Sequence, residues 1–136
     1  MRLNAHLSFS GECEAAFRFY EQCLGGKIAF HLTYGQSPMA SGVPQQWHGK
    51  ILHMRLDVGN DIITGADSWP ADPSPAKGFT MAAHFNDEAQ VERVFNALAE
   101  GGKVILPLQK SFWTSHFGML TDKFGVPWMI NYSATV

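Results

Sequence analysis

Charge, cysteine and long apolar runs are all scarce in this chain. Lys, Arg, Asp and Glu make up 16% of its 136 residues, against about 25% in an average soluble domain. Ten basic and twelve acidic residues leave a formal net charge of −2. That balance lacks the clustered positive surface wanted by nucleic acid or an acidic membrane, so neither is an expected partner. No apolar stretch approaches the roughly 18 residues of a membrane span. Asn4, His6 and Ser8 interrupt any signal-peptide core, and a cytoplasmic location is expected. Cys13 and Cys23 are the only cysteines. On one helix they would stand about 15 Å apart, beyond the ~7 Å reach of a disulfide. No Cys-x-x-Cys or Cys/His zinc spacing exists either. What the chain does hold is apolar surface: 46% hydrophobic residues, with ten Phe, four Trp and three Tyr. That is ample for one domain core and argues against disorder.

The apolar positions alternate and then turn helical, twice. Leu3, Ala5, Leu7 and Phe9 share one side of a strand, with Asn4, His6, Ser8 and Ser10 on the other. A helix over 11–24 follows, with Ser10 as the expected cap and Ala16, Phe19, Tyr20, Cys23 and Leu24 as its stripe. Gly25-Gly26 stops it. Lys27–Tyr34 reads as a second strand. Residues 35–50 form a loop long enough to suggest a lid. Ile51–Val58 and Ile62–Ala66 read as a hairpin turning at Gly59-Asn60-Asp61. The stretch Asp67–Gly78 carries three Pro and reads as a linker. Then Met81, Ala83 and Phe85 alternate with Thr80, Ala82 and His84. Asn86 is the expected cap of a helix over 87–100 whose stripe is Val91, Val94, Phe95 and Leu98.

The halves are in register at an offset of 76 residues: Phe9 with Phe85, Glu12 with Glu88, Phe19 with Phe95, and Gly25-Gly26-Lys27 with Gly101-Gly102-Lys103. We read an internal duplication of a strand–helix–strand–strand–strand module. Module one covers 1–67, the linker 68–77 and module two 78–136, within a single domain of 1–136. The expected class is α+β. The polar strand faces then either line a cup between two sheets or are simply solvated; the pattern alone supports both.

The stretch Ser111–Tyr132 brings in a resemblance. Phe112-Trp113, Phe117-Gly118, Thr121-Asp122 and Phe124-Gly125-Val126-Pro127-Trp128-Met129-Ile130-Asn131 resemble the signature of the PhnB-like branch of the vicinal oxygen chelate superfamily, which includes glyoxalase I, bleomycin-resistance proteins and extradiol dioxygenases. Leu7-Ser8-Phe9, Cys13-Glu14-Ala15-Ala16, Phe19-Tyr20 and His53 match as well. The resemblance implies paired βαβββ modules forming a cup, and a homodimer. The branch often carries the label 3-demethylubiquinone-9 3-methyltransferase. The residues argue against that activity, because the Gly pairs stop helices instead of opening them around a cofactor.

Metal-dependent members of the superfamily hold a divalent ion with four side chains, usually His, Gln or Glu. Carried over, those places fall at Asn4, Thr80, a residue near Met129, and one within Ile62–Ala66. None is a strong ligand. No cofactor is therefore expected, and no metal residue is assigned. A divalent metal stays open through a substitute site of His6, His53 and His84. The expected ligand-binding residues are His6, Ser8, His53, Arg55, Thr80, His84, Trp113 and Met129. Arg55 either meets an anionic ligand or pairs with Asp57. Cys13, in a first helical turn, reads as an activated thiol or as packing. Asp67 is placed to reach the cup mouth. The favoured function is binding of a small organic ligand with no assigned reaction. The alternative is a metal-dependent isomerase, lyase or dioxygenase working through the histidines.

Overall fold

The computed structural model describes all residues, Met1–Val136. It divides into two compact units, Met1–Ser74 and Pro75–Val136, the boundary falling inside the proline-rich segment. No helix is long and apolar enough to cross a membrane.

Unit one runs β1 (Ala5–Phe9), α1 (Cys13–Leu24), β2 (Lys27–Thr33), β3 (Ile51–Val58) and β4 (Asp61–Asp67). Its sheet has the order β1-β4-β3-β2, with β1 parallel to β4 and the other pairs antiparallel. Unit two repeats this with β5 (Met81–Phe85), α2 (Glu88–Ala99), β6 (Lys103–Gln109), β7 (Phe117–Thr121) and β8 (Pro127–Tyr132). Its order is β5-β8-β7-β6, again with only the outer pair β5/β8 parallel. Both units are βαβββ modules, and the α+β class follows.

Each helix lies on one face of its own sheet. Cys13, Ala16, Phe17, Tyr20 and Cys23 are the buried side of α1. Phe17 and Cys13 thus hold places that the stripe reading gave to Phe19 and Leu24, both of which are half-buried. Two glycines let a helix approach closely. A methyl group at Gly65 would stand 2.6 Å from the Phe17 ring, and one at Gly118 would stand 2.7 Å from Phe95. On β8, Trp128 and Ile130 are buried, as an apolar face under α2 requires, while Tyr132 is half-buried.

Both expected caps are corrected. The Ser10 hydroxyl donates to the Asp72 carbonyl. The first turn of α1 is served instead by Asp67, whose Oδ1 accepts the Gly11 and Cys13 backbone N–H at 2.8 and 3.0 Å. Asp67 Oδ2 accepts Ile51 N–H at 2.9 Å. One carboxylate, 1% exposed, thereby ties the end of β4 to the start of α1 and the start of β3. A buried acceptor reaching three N–H groups from distant segments outcompetes a local hydroxyl. In α2 the cap is Asp87, accepting Ala89 N–H at 2.9 Å, and Asn86 donates to the Val136 carbonyl. In unit two the buried Asp122 acts locally, holding the turn between β7 and β8: it accepts Phe124 and Val126 N–H and the Trp128 indole N–H.

The 35–50 stretch is built and not open. Three single-turn 3-10 helices occupy it. A reciprocal pair of bonds between Thr33 and Gln36 opens the first. The His48 Nε2 lies 2.8 Å from the Ala40 carbonyl and 3.2 Å from that of Val43. His48 therefore fastens the loop to itself.

Candidate functional site

The face of sheet one opposite α1 is set by register. His6 lies opposite Thr64 on β4, and Thr64 opposite Arg55 on β3. His6 Nδ1 is 2.8 Å from the Thr64 hydroxyl, which also accepts from Asn4 Nδ2 at 3.1 Å. The His6 and His53 rings stack at 6.5 Å with planes 10° apart, and Phe30 stands 5.8 Å from His53. Loss of hydration holds His6 below the ordinary imidazole range, and the neighbouring His53 adds to this. Ser8, opposite Ala66, is exposed on the same strand. Arg55 Nε donates to Asp57 at 2.6 Å, so of its two expected roles the structure shows the pairing along the sheet.

The corresponding face of sheet two is a row of aromatic and hydrogen-bonding groups. His84 on β5 pairs in register with Asn131 on β8, and Asn131 with Phe117 on β7. Trp113, from the β6–β7 connection, packs edge-on against Phe117 at 5.0 Å and against Phe112 at 4.8 Å. Its indole N–H donates to Asn131 Oδ1 at 3.3 Å, and Asn131 Nδ2 lies 3.1 Å from His84 Nδ1. A depression of about 370 Å³ opens beside this row, lined by Trp113, Ser115, Asn131 and Thr135 among others. Phe112, next to Trp113 in the chain, is 97% exposed. Met129 sits between Ala82 and Met119 on the same face. Thr80 lies just before β5 and is exposed, so no ladder aims its side chain.

The remaining reactive candidates are occupied. Burial raises the Cys13 thiol above its ordinary range, and the Asp67 and Glu14 carboxylates raise it further. The helix N-terminus that was expected to lower it already donates to Asp67, so Cys13 is a packing residue. Asp67 itself is corrected from a cup-mouth acid to a structural acceptor. His116 Nε2 donates to Glu92 Oε1 at 3.1 Å, fastening its loop to α2, and its Nδ1 lies 2.9 Å from Ser115 Oγ.

The family model of the glyoxalase/bleomycin resistance protein/dioxygenase superfamily matches residues 2–130. The chain belongs to that superfamily. Escherichia coli YjdN is 32% identical over 139 residues, covering 96% of this chain and 95% of that protein. The crystal structure of Pseudomonas aeruginosa PA1353 is 42% identical, with a TM-score of 0.88 over 98% of both chains. A Bacillus cereus PhnB protein bearing the 3-demethylubiquinone-9 3-methyltransferase name shares the fold, with a TM-score of 0.84 at 21% identity over 98% of this chain and all of that one.

Superfamily membership raises the question of a metal. The positions inherited from metal-dependent members offer the Asn4 amide, the Thr80 hydroxyl, the Met129 thioether and, within Ile62–Ala66, only the Thr64 hydroxyl. Asn4 Nδ2 donates to Thr64 and to the Ala5 carbonyl. A set of amide, hydroxyl and thioether groups without imidazole or carboxylate does not fit a borderline divalent ion. Of the substitute histidines, His6 and His53 come together in unit one, while His84 in unit two is bonded to Asn131. No group of three or more His, Cys, Asp or Glu is placed to hold a metal.

The β1–α1 turn also bears on the methyltransferase label. An anion cradle would need its N–H groups free to meet a phosphate or carboxylate from a ligand. Here Asp67 takes them. Asn131 enters the sequence reading as the last residue of the Phe124–Asn131 motif, without a role, and Thr64 is given none. Their roles come from cross-strand register with His84 and His6, for which one strand's alternation carries no signal.

Proposed function

We propose that this superfamily member binds a small organic ligand on the helix-free faces of its sheets, without an assigned reaction. The observation that carries this reading is the Trp113–Asn131–His84 row. It joins an exposed aromatic platform to a line of hydrogen-bonded polar groups beside a 370 Å³ depression. Few polar groups among aromatic walls is the usual make-up of a small-molecule site. A protein that only needed a solvated sheet face would gain nothing from exposing Phe112 and Trp113 there. His6, Ser8, His53 and Arg55 supply a second, more polar surface in unit one. In this reading Thr80 and Met129 also belong to the ligand surface of unit two. A cytoplasmic homodimer is the proposed setting, in keeping with the PhnB-like resemblance.

The test is an NMR screen of aromatic and carbonyl-bearing fragments against the labelled protein. Binders are expected to shift the Trp113 indole N–H together with backbone signals of residues 82–84 and 129–131. Trp113→Ala should abolish those shifts with the fold intact. A screen whose binders leave all of these signals unmoved, or bind the Trp113→Ala variant unchanged, would remove the unit-two site. In unit one the variants are His53→Ala and Arg55→Ala, and unchanged affinity in both would remove that surface from the function.

A further inference from the structure

The row of donors on sheet two decides a tautomer, and the tautomer selects a ligand. An indole nitrogen can only donate. Trp113 Nε1 points to Asn131, so the Asn131 carboxamide turns its oxygen toward the indole and its Nδ2 hydrogens toward His84. Nδ2 then donates to His84 Nδ1. A ring nitrogen that accepts carries no proton, so the proton of the neutral imidazole resides on Nε2. His84 is exposed, and its only hydrogen bond from a protein side chain is the one at Nδ1. The chain of bonds thus ends in an N–H offered to solvent, on the face that also carries Trp113 and Phe117.

We propose that His84 Nε2–H is the specificity-determining donor of this site, and that it reads an acceptor oxygen, a carboxylate or carbonyl, on a ligand whose flat apolar part rests against Trp113. This inference rests on the ligand-binding reading above and adds the ligand's chemical class. A ligand that presents an N–H at the same place sets donor against donor and is rejected. Asn131 is a positioning residue: it acts through the ring of His84 and does not itself meet the acceptor.

Two probes with the same rings separate the ideas. Naphthoate carries an acceptor, and naphthylmethylamine carries a cationic donor. Calorimetry on the full chain should show naphthoate binding about tenfold more tightly, the scale of one hydrogen bond to a charged group. His84→Leu should remove that preference. His84→Gln, whose amide N–H reaches to a similar place, should keep most of it. Long-range proton–nitrogen spectra of the imidazole should show Nε2 protonated and Nδ1 bare. In Asn131→Asp the carboxylate can only accept, and a proton should appear on Nδ1. Equal binding of both probes, a preference that survives His84→Leu, or a protonated Nδ1 in the unaltered protein at neutral ring charge would each overturn the role of His84 while leaving ligand binding in place. Failure of both probes to bind would overturn the inference and the unit-two site together.

Discussion

Replacing Asp67 tests the account of how unit one is held. Its two oxygens accept three backbone N–H groups, at 2.8 and 3.0 Å on one oxygen and 2.9 Å on the other, from Gly11, Cys13 and Ile51. The Gly11 group is part-buried and the bonds at Cys13 and Ile51 are buried. Asp67→Ala leaves two buried donors without partners, at about 1–3 kcal/mol each. Relief of a desolvated carboxylate offsets part of this, so the net loss should be about 3 kcal/mol. That is a large share of the roughly 5–15 kcal/mol that stabilises a domain. Asp67→Asn keeps one accepting oxygen but turns an NH2 toward an N–H group, and should cost about 1–3 kcal/mol. Asp57→Ala is the control. Its partner Arg55 is just as close, at 2.6 Å, but both side chains are about two-fifths exposed, so the loss should stay under about 1 kcal/mol. Urea unfolding followed by far-UV circular dichroism reads all three, provided the slope with denaturant is unchanged. If Asp67→Ala loses no more stability than Asp57→Ala, the carboxylate is not what joins these segments.

Other expectations follow from the packing and the titrating groups. Gly65→Ala places a methyl 2.6 Å from the Phe17 ring and should cost about 1–3 kcal/mol by overpacking; an unchanged urea midpoint would show that the ring moves aside freely. Burial favours the neutral Cys13 thiol, so above its ordinary value of 9.0 the unfolded chain releases a proton that the folded chain keeps. Stability should therefore fall as pH rises beyond that value, and Cys13→Ala should flatten the decline. His6 is held below 6.5, so the unfolded chain binds a proton first as pH drops. Stability should decrease as pH falls through that value, and His6→Gln should lessen the decrease; unfolding midpoints that differ by a constant amount across the range would contradict this.

The order of elements and the duplication were legible in the residues. Alternation over 3–10 and 80–85, helical spacing over 11–24 and 87–100, and the repeated Gly-Gly-Lys are local signals, because strand and helix periods are set by backbone geometry alone. They place βαβββ twice, and the structure has that arrangement. The helix caps were misread because Ser10 and Asn86 are good caps by residue type, while the acceptors used come from 57 positions along the chain for Ser10 and from one for Asn86. Nothing local in the sequence marks Gly65 or Gly118; the need for glycine there comes from Phe17 and Phe95 lying over them.

The candidate site divides in the same way. That His6, His53 and His84 face away from the helices follows from alternation. That His6 stacks on His53, that Arg55 spends a donor on Asp57, and that Asn131 stands between Trp113 and His84 do not. Those relations depend on which strands are neighbours and in what register, with β1 beside β4 and β5 beside β8 across most of each module. Hydrogen-bond partners are chosen among groups distant in sequence by competition between buried donors and acceptors, and only the folded chain brings the competitors together.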